Sequence, residues 1–164
     1  LYNYMEKYSN YLYTSSDWDF YVWERAGFVF NWAHSNKSKH LPKLFCLGSA
    51  LYYSRVLPKT IQESFEIVIV DHRGFAEPKT ANPERESEFE FSKIREDIET
   101  FRNFLNWEKF TLLGHSGHGY MALDYARYFQ KYICHLVLVC TGPSHGAPLQ
   151  KREEYFDTFA DSLR

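Results

Sequence analysis

Three cysteines in 164 residues, an odd number, exclude the dense disulfide framework of a small secreted domain. Cys46 and Cys140 lie inside apolar runs and read as buried free thiols, and no setting that would depress a thiol pKa surrounds any of the three. No stretch approaches the ~20 apolar residues that a membrane-spanning helix needs. No basic-then-apolar signal segment opens the chain, which begins at Leu1 rather than Met, and a cytoplasmic setting is the expectation. Neither sign of charge dominates: 19 Lys and Arg against 21 Asp and Glu leave a formal −2. That balance gives no electrostatic reason to expect nucleic acid or an anionic membrane as partner. Internal repeats and low-complexity tracts are also lacking.

Aromatic residues are plentiful instead, with 13 Tyr and 14 Phe, and hydrophobic residues at 45% suffice for the core of one domain. Many rings fall early, among them Tyr2, Tyr11, Trp18, Tyr21, Trp23, Phe28 and Trp32. Residues 1–27 read as an extended aromatic leader with a short helix or strand. Its rings pack on the body of the domain or, alternatively, offer an interaction surface.

From residue 28 the pattern alternates between strand and helix. Phe28–Trp32 suggests a strand, 34–40 a polar turn, and Leu44–Leu47 a short apolar strand ending at Gly48. Ser49 is placed to cap a helix that stops at Pro58. Glu66–Asp71 is a β-branched run of the kind buried on both faces of a parallel sheet. After a charged loop over 74–90, Phe91, Ile94, Ile98, Phe101 and Leu105 recur at helical spacing. Phe110–Leu113 is a strand, 117–132 a helix, and His135–Cys140 a strand. Such alternation with short connections predicts an α/β fold, a mainly parallel sheet with helices on both faces.

The segment richest in chemistry is Phe110-Thr-Leu-Leu-Gly-His-Ser-Gly-His-Gly119. A strand turning directly into a helix with Ser116 at its apex lifts a hydroxyl out of the sheet edge. It also aims the helix's free N–H groups at any negative charge forming there. Ser116 is therefore the candidate nucleophile, and the Gly117 N–H a candidate oxyanion donor. A plain helix cap is the alternative role for Ser116. His115 and His118 bracket it three apart, but no third ligand sits nearby at metal spacing, so no metal is expected. His118 is a candidate pocket residue.

The stretch resembles the nucleophile elbow of α/β-hydrolases, G-x-S-x-G, and most closely the proline iminopeptidase-like branch. Val70-Asp-His-Arg-Gly-Phe75 looks like that branch's D-x-R-G motif, and Asp97-Ile-Glu99, Glu108–Leu113, Met121–Ala126 and Leu136–Val139 follow in the family's order. The resemblance covers residue 44 to the C-terminus. It implies a core over 28–149 and the start of a lid helix over 150–164.

The resemblance further implies a serine hydrolase acting on a small ester, amide or N-terminal peptide bond, with a small-molecule or short-peptide substrate and no cofactor. Gly117 and Gly48 would form the oxyanion hole, His115 would be a packing or hydrogen-bonding residue, and Asp71 and Arg73 would tie loops together. The catalytic acid and base would follow the later strands, beyond the lid, and His145 is a weak substitute for the base. The sequence departs from the family at His118, where a glycine is usual, so the turn is expected to be altered or the neighbouring strand to yield. The loop after Leu47 is also short. These departures support a second reading, a non-catalytic binding or interaction module, in which a half-fold would expose a sheet edge and apolar surface.

Overall fold

The structure, a computed structural model, describes residues 5–7, 17–35, 40–74, 77–78 and 89–142. Its centre is the run predicted to be buried on both faces: β5 (Glu66–Val70) is buried at every position. β4 (Lys43–Leu47) and β7 (Phe110–His115) continue the same sheet in parallel, and β8 (Ile133–Val139) lies parallel beyond β7. Alternation along these strands divides the core in two. Phe45, Leu47, Val68 and Val70 pack with Ile98, Phe101, Ala122 and Tyr125 of α3 (Phe91–Phe104) and α4 (His118–Phe129). Leu44, Cys46, Ile67 and Ile69 face the other way, onto Ala50 and Tyr53 of α1 (Ala50–Val56) and Ile61 of α2 (Lys59–Ser64). A period of two on each strand thus requires helices on both faces, as observed.

The sheet is mixed, because the aromatic leader is part of it. β2 (Trp18–Arg25) and β3 (Phe28–Ser35) form an antiparallel hairpin, and β3 pairs antiparallel with β5. The hairpin turn is Ala26-Gly27, both at positive φ (50° and 78°), the twist that a two-residue loop needs. β1 (Met5–Lys7) adds to β2, and β6 (Glu77–Pro78) pairs with β3. The order is β1-β2-β3-β5-β4-β7-β8, with β6 beside β3. A boundary at residue 27 is therefore not a structural one. Trp18, Val22 and Trp23 are buried, so this part of the leader packs its rings inward. The remaining leader residues, 1–4 and 8–16, lie outside the described residues, as do 143–164 with His145 and the expected lid helix.

α1 stops before Pro58 as expected, and a second helix starts directly after it, since proline is tolerated at a helix start. One further expectation is corrected. Cys140 is exposed, whereas Cys46 is buried. The reason is position: Cys140 directly follows β8, on whose outer side no described strand lies, and Val137, Leu138 and Val139 are exposed with it. Burial lifts the Cys46 thiol to about 12, which keeps it protonated. No helix among the described residues is long and apolar enough to cross a membrane.

Candidate active site

Ser116 stands between β7 and α4 with φ +53°, the left-handed conformation that costs a residue with a β-carbon roughly 1–2 kcal/mol. Three contacts hold it there. Its N–H donates to the Val139 carbonyl (2.8 Å), and its own carbonyl accepts from the Gly119 N–H and the Thr141 hydroxyl, each at 3.1 Å. The side chain is exposed, and among the described residues no first-turn N–H of α4 donates to its hydroxyl. The residue at the cap position of α4 is Gly117, so the hydroxyl is presented to solvent rather than spent on the helix.

The close approach of strand and helix falls one residue later than the sequence pattern suggests. A β-carbon on Gly114 would lie 2.7 Å from Gly119 Cα and 2.8 Å from the His118 carbonyl. One on Gly119 would overlap the Thr141 side chain, 2.6 Å from Cγ2 and 2.7 Å from Cβ. Glycine is thus required at 114 and 119, and His118 is accommodated with the turn intact. Its ring swings over Gly48, with Cε1 3.3 Å from where a Gly48 β-carbon would stand. It packs edge-on against His72 (centroids 4.8 Å apart) and Tyr53 (6.3 Å).

Hydrogen bonds set the protonation of these rings. His118 Nδ1 faces the His115 carbonyl at 3.2 Å and must carry the proton to donate. His72 Nδ1 accepts from the Gly74 N–H (3.0 Å), which in the neutral ring leaves the proton on Nε2. Burial, with the neighbouring His118, pushes His72 down to about 4, and burial also lowers His118. Both imidazoles are neutral at pH 7. Tyr53, lifted to about 12 by burial, keeps its proton and lies 2.9 Å from His115 Nδ1. His115 is thereby a hydrogen-bonded packing residue.

The turn after β4 departs from expectation in one atom. Gly48 has φ +140°, which glycine alone adopts readily, but its N–H donates to the Val70 carbonyl at 3.0 Å. That amide is committed to the sheet and is not available to an oxyanion; the next along the chain is Ser49's. Ser49 caps α1, accepting from the Tyr52 N–H. Asp71 braces the same turn: Oδ1 accepts from the Ala50 N–H (2.8 Å) and Oδ2 from Asn31 Nδ2 (3.2 Å). Arg73, almost wholly buried, grips Asp97 of α3 through Nε (2.5 Å) and Nη2 (3.0 Å), while Arg25 reaches the same carboxylate at 2.7 Å. Both motif residues thus serve as braces.

The structure brings Ser116, Gly117, His115, His118 and the Gly48–Ser49 turn to the carboxyl ends of β4 and β7, where open α/β sheets place ligand groups. Tyr53, His72 and Thr141 join them without having been singled out as pocket residues. The only sequence hint was the pair of glycines flanking His118, which marks a crowded turn. A larger open depression of about 670 Å³ lies at the opposite, amino ends of β4, β7 and β8, away from these groups. Among the described residues, no group of three or more His, Cys, Asp or Glu is placed to hold a metal ion.

A mixed sheet with a parallel centre sandwiched by helices, and a strained serine on a strand–helix turn, define a class of fold and not merely a motif. The chain belongs to the α/β-hydrolase fold family, whose model matches residues 45–164. It is 38% identical over 137 residues to the AB hydrolase superfamily protein YclE of Bacillus subtilis, covering 81% of this chain and 48% of that protein. It is 33% identical over 85 residues to the proline iminopeptidase PfmaB of Pestalotiopsis fici, covering 51% of this chain and 28% of that one. Among solved structures it is similar to a proline iminopeptidase-related protein from Thermus thermophilus. There the TM-score is 0.62 and identity 18%, over 76% of this chain and 45% of the other, a likeness of fold alone. The chain spans less than half the length of the curated relatives it matches.

Proposed function

We propose that the chain carries the nucleophile-bearing part of a serine hydrolase that cleaves a small ester, amide or N-terminal peptide bond, in a cytoplasmic setting and without a cofactor. The observation that supports this most is the left-handed backbone of Ser116, held by three contacts while the hydroxyl is left exposed. Strain of this kind persists where the surroundings over-determine it, and it gathers at functional sites. PfmaB, the relative named as a proline iminopeptidase, favours a peptide or other small acyl substrate over a polymer.

In this reading the Ser116 Oγ attacks the substrate carbonyl, and its proton passes to a base outside the described residues. The Gly117 N–H, at the positive end of α4, stabilises the oxyanion. The second donor is the Ser49 N–H, since Gly48's is bonded to Val70. Collapse of the tetrahedral species expels an alcohol or amine, which takes the proton, and water then releases the acyl group from Ser116 by the same steps.

The test is labelling with a fluorophosphonate probe, read by intact mass, on the wild-type protein and Ser116→Ala. Attachment that vanishes in the variant supports the reading. No attachment to folded wild-type protein overturns it and favours a non-catalytic binding module.

A further inference from the structure

Three carboxylates are buried among the described residues, and two of them have cationic partners. Glu66 pairs with Lys43 and His34, and Asp97 with Arg25 and Arg73. Asp71 has neutral donors only, the Ala50 N–H and the Asn31 amide. With the Asn31 backbone N–H as a third donor, about one of the carboxylate's four or so acceptor sites remains. A buried carboxylate without a countercharge is unfavourable, and Asp71 is accordingly pushed up to about 6 by burial.

Beside it lies a partly open cavity of about 150 Å³, lined by Phe20, Tyr21, Asn31, Ser49, Leu51 and Asp71. A cavity of this size admits a guest of about benzene's bulk. No described lining side chain is cationic, while Phe20, on the same side of the sheet as Ala50, offers an aromatic ring of the kind that attracts cations. Ser116 is not part of this wall.

We propose that this cavity binds a small organic ammonium group, which gives Asp71 the cationic partner that the described residues do not supply and rests its alkyl portion on Phe20 and Leu51. The cavity excludes Ser116 but shares Ser49 with the proposed oxyanion hole, and its binding of an ammonium does not depend on the hydrolase reading. Anions and neutral polar guests fit less well: the first meet a carboxylate, and the second leave its charge uncompensated.

The test is a titration of the ¹⁵N-labelled protein with n-butylammonium chloride at pH 7.5, at constant ionic strength, following the amides of Ser49, Ala50 and Leu51. The neutral probe n-butanol, of the same shape, is titrated in parallel. The expected result is saturable shifts at those amides with n-butylammonium, and binding about tenfold weaker with n-butanol, the scale of one charge-assisted contact. Asp71→Asn keeps an acceptor for the Ala50 N–H and should lose the preference for the ammonium. Leu51→Trp fills the cavity without touching Asp71's hydrogen bonds and should abolish the shifts; it decides the matter even if Asp71→Asn fails to fold. Equal binding of alcohol and ammonium, no shifts in wild type, or full binding by Leu51→Trp would each overturn the proposal.

Discussion

Replacing Gly119 by alanine tests the packing that holds Ser116 in place. In an ordinary helix the change would gain up to about 1 kcal/mol, because glycine is the poorer helix former. Here the new methyl meets the Thr141 side chain, 2.6 Å from Cγ2 and 2.7 Å from Cβ, with Oγ1 nearer still. Thr141 is β-branched, so it has few rotamers in which to escape. Moving it also breaks the bond from its hydroxyl to the Ser116 carbonyl. Overpacking costs about 1–3 kcal/mol and the lost hydrogen bond about 1 kcal/mol, so a net destabilisation of about 2 kcal/mol is expected.

Gly117, two residues earlier, is the control. Nothing lies within 4 Å of a β-carbon there and φ is −58°, so Gly117→Ala should be neutral or slightly stabilising. Urea denaturation followed by tryptophan fluorescence measures both. The double variant Gly119→Ala/Thr141→Gly should be more stable than additivity predicts by about 1 kcal/mol or more. If Gly119→Ala unfolds at the same urea concentration as Gly117→Ala, or the cycle is additive, the contact is not what requires glycine at 119.

Asp71 and His72 should tilt the pH dependence of stability in opposite directions. Between pH 4 and 6 folded Asp71 holds a proton that the unfolded chain has released, so its contribution falls as pH rises. His72, lowered from 6.5 to about 4, lacks when folded a proton that the unfolded chain holds, so its contribution rises over about pH 4 to 6.5. Each slope approaches about 1.4 kcal/mol per pH unit, and the two largely offset one another in the wild type. Asp71→Asn should therefore gain stability with pH more steeply than wild type, and His72→Asn less steeply. Urea midpoints from pH 4.5 to 6.5 check this, and three parallel curves refute it. Arg73→Ala leaves buried Asp97 with Arg25 alone and should cost about 3 kcal/mol or more by the same denaturation assay. Adding Asp97→Asn should recover part of that loss, and no recovery would mean that packing on Phe28, not charge, was the larger contribution.

Periodicity made the central strands legible because they are extreme cases. β5 is apolar on both faces, and α3 carries its apolar residues at strict helical spacing. The β2–β3 hairpin was not read as such. Trp18–Arg25 mixes rings and charges without alternation, and Ala26-Gly27 lacks the Asn or Asp that usually announces such a turn. At the site, Ser116 was legible because strand, turn and helix are consecutive in the chain. Tyr53, His72 and Thr141 reach it from other strand ends, and only pairing order brings those together. The commitment of the Gly48 N–H likewise depends on β4 lying beside β5, a fact of topology rather than of local sequence.

The contacts that hold Ser116 have a dynamic consequence. Two of the three come from one place: the Val139 carbonyl and the Thr141 hydroxyl both sit at the carboxyl end of β8. β8 pairs with β7 on one side, has no described strand on the other, and exposes Val137 to Val139. Strands with few buried contacts open at lower free energy than the core. When the end of β8 frays, the left-handed backbone at Ser116 loses its acceptor and relaxes, and relief of about 1–2 kcal/mol of strain favours the opening. Native-state hydrogen exchange reads this directly. The Ser116 amide should exchange with the same opening free energy as the β8 amides bonded to β7, well below that of the β4 and β5 amides. A Ser116 amide protected as strongly as β5 would show that α4 alone fixes the turn, and that the geometry of Ser116 is independent of the strand beside it.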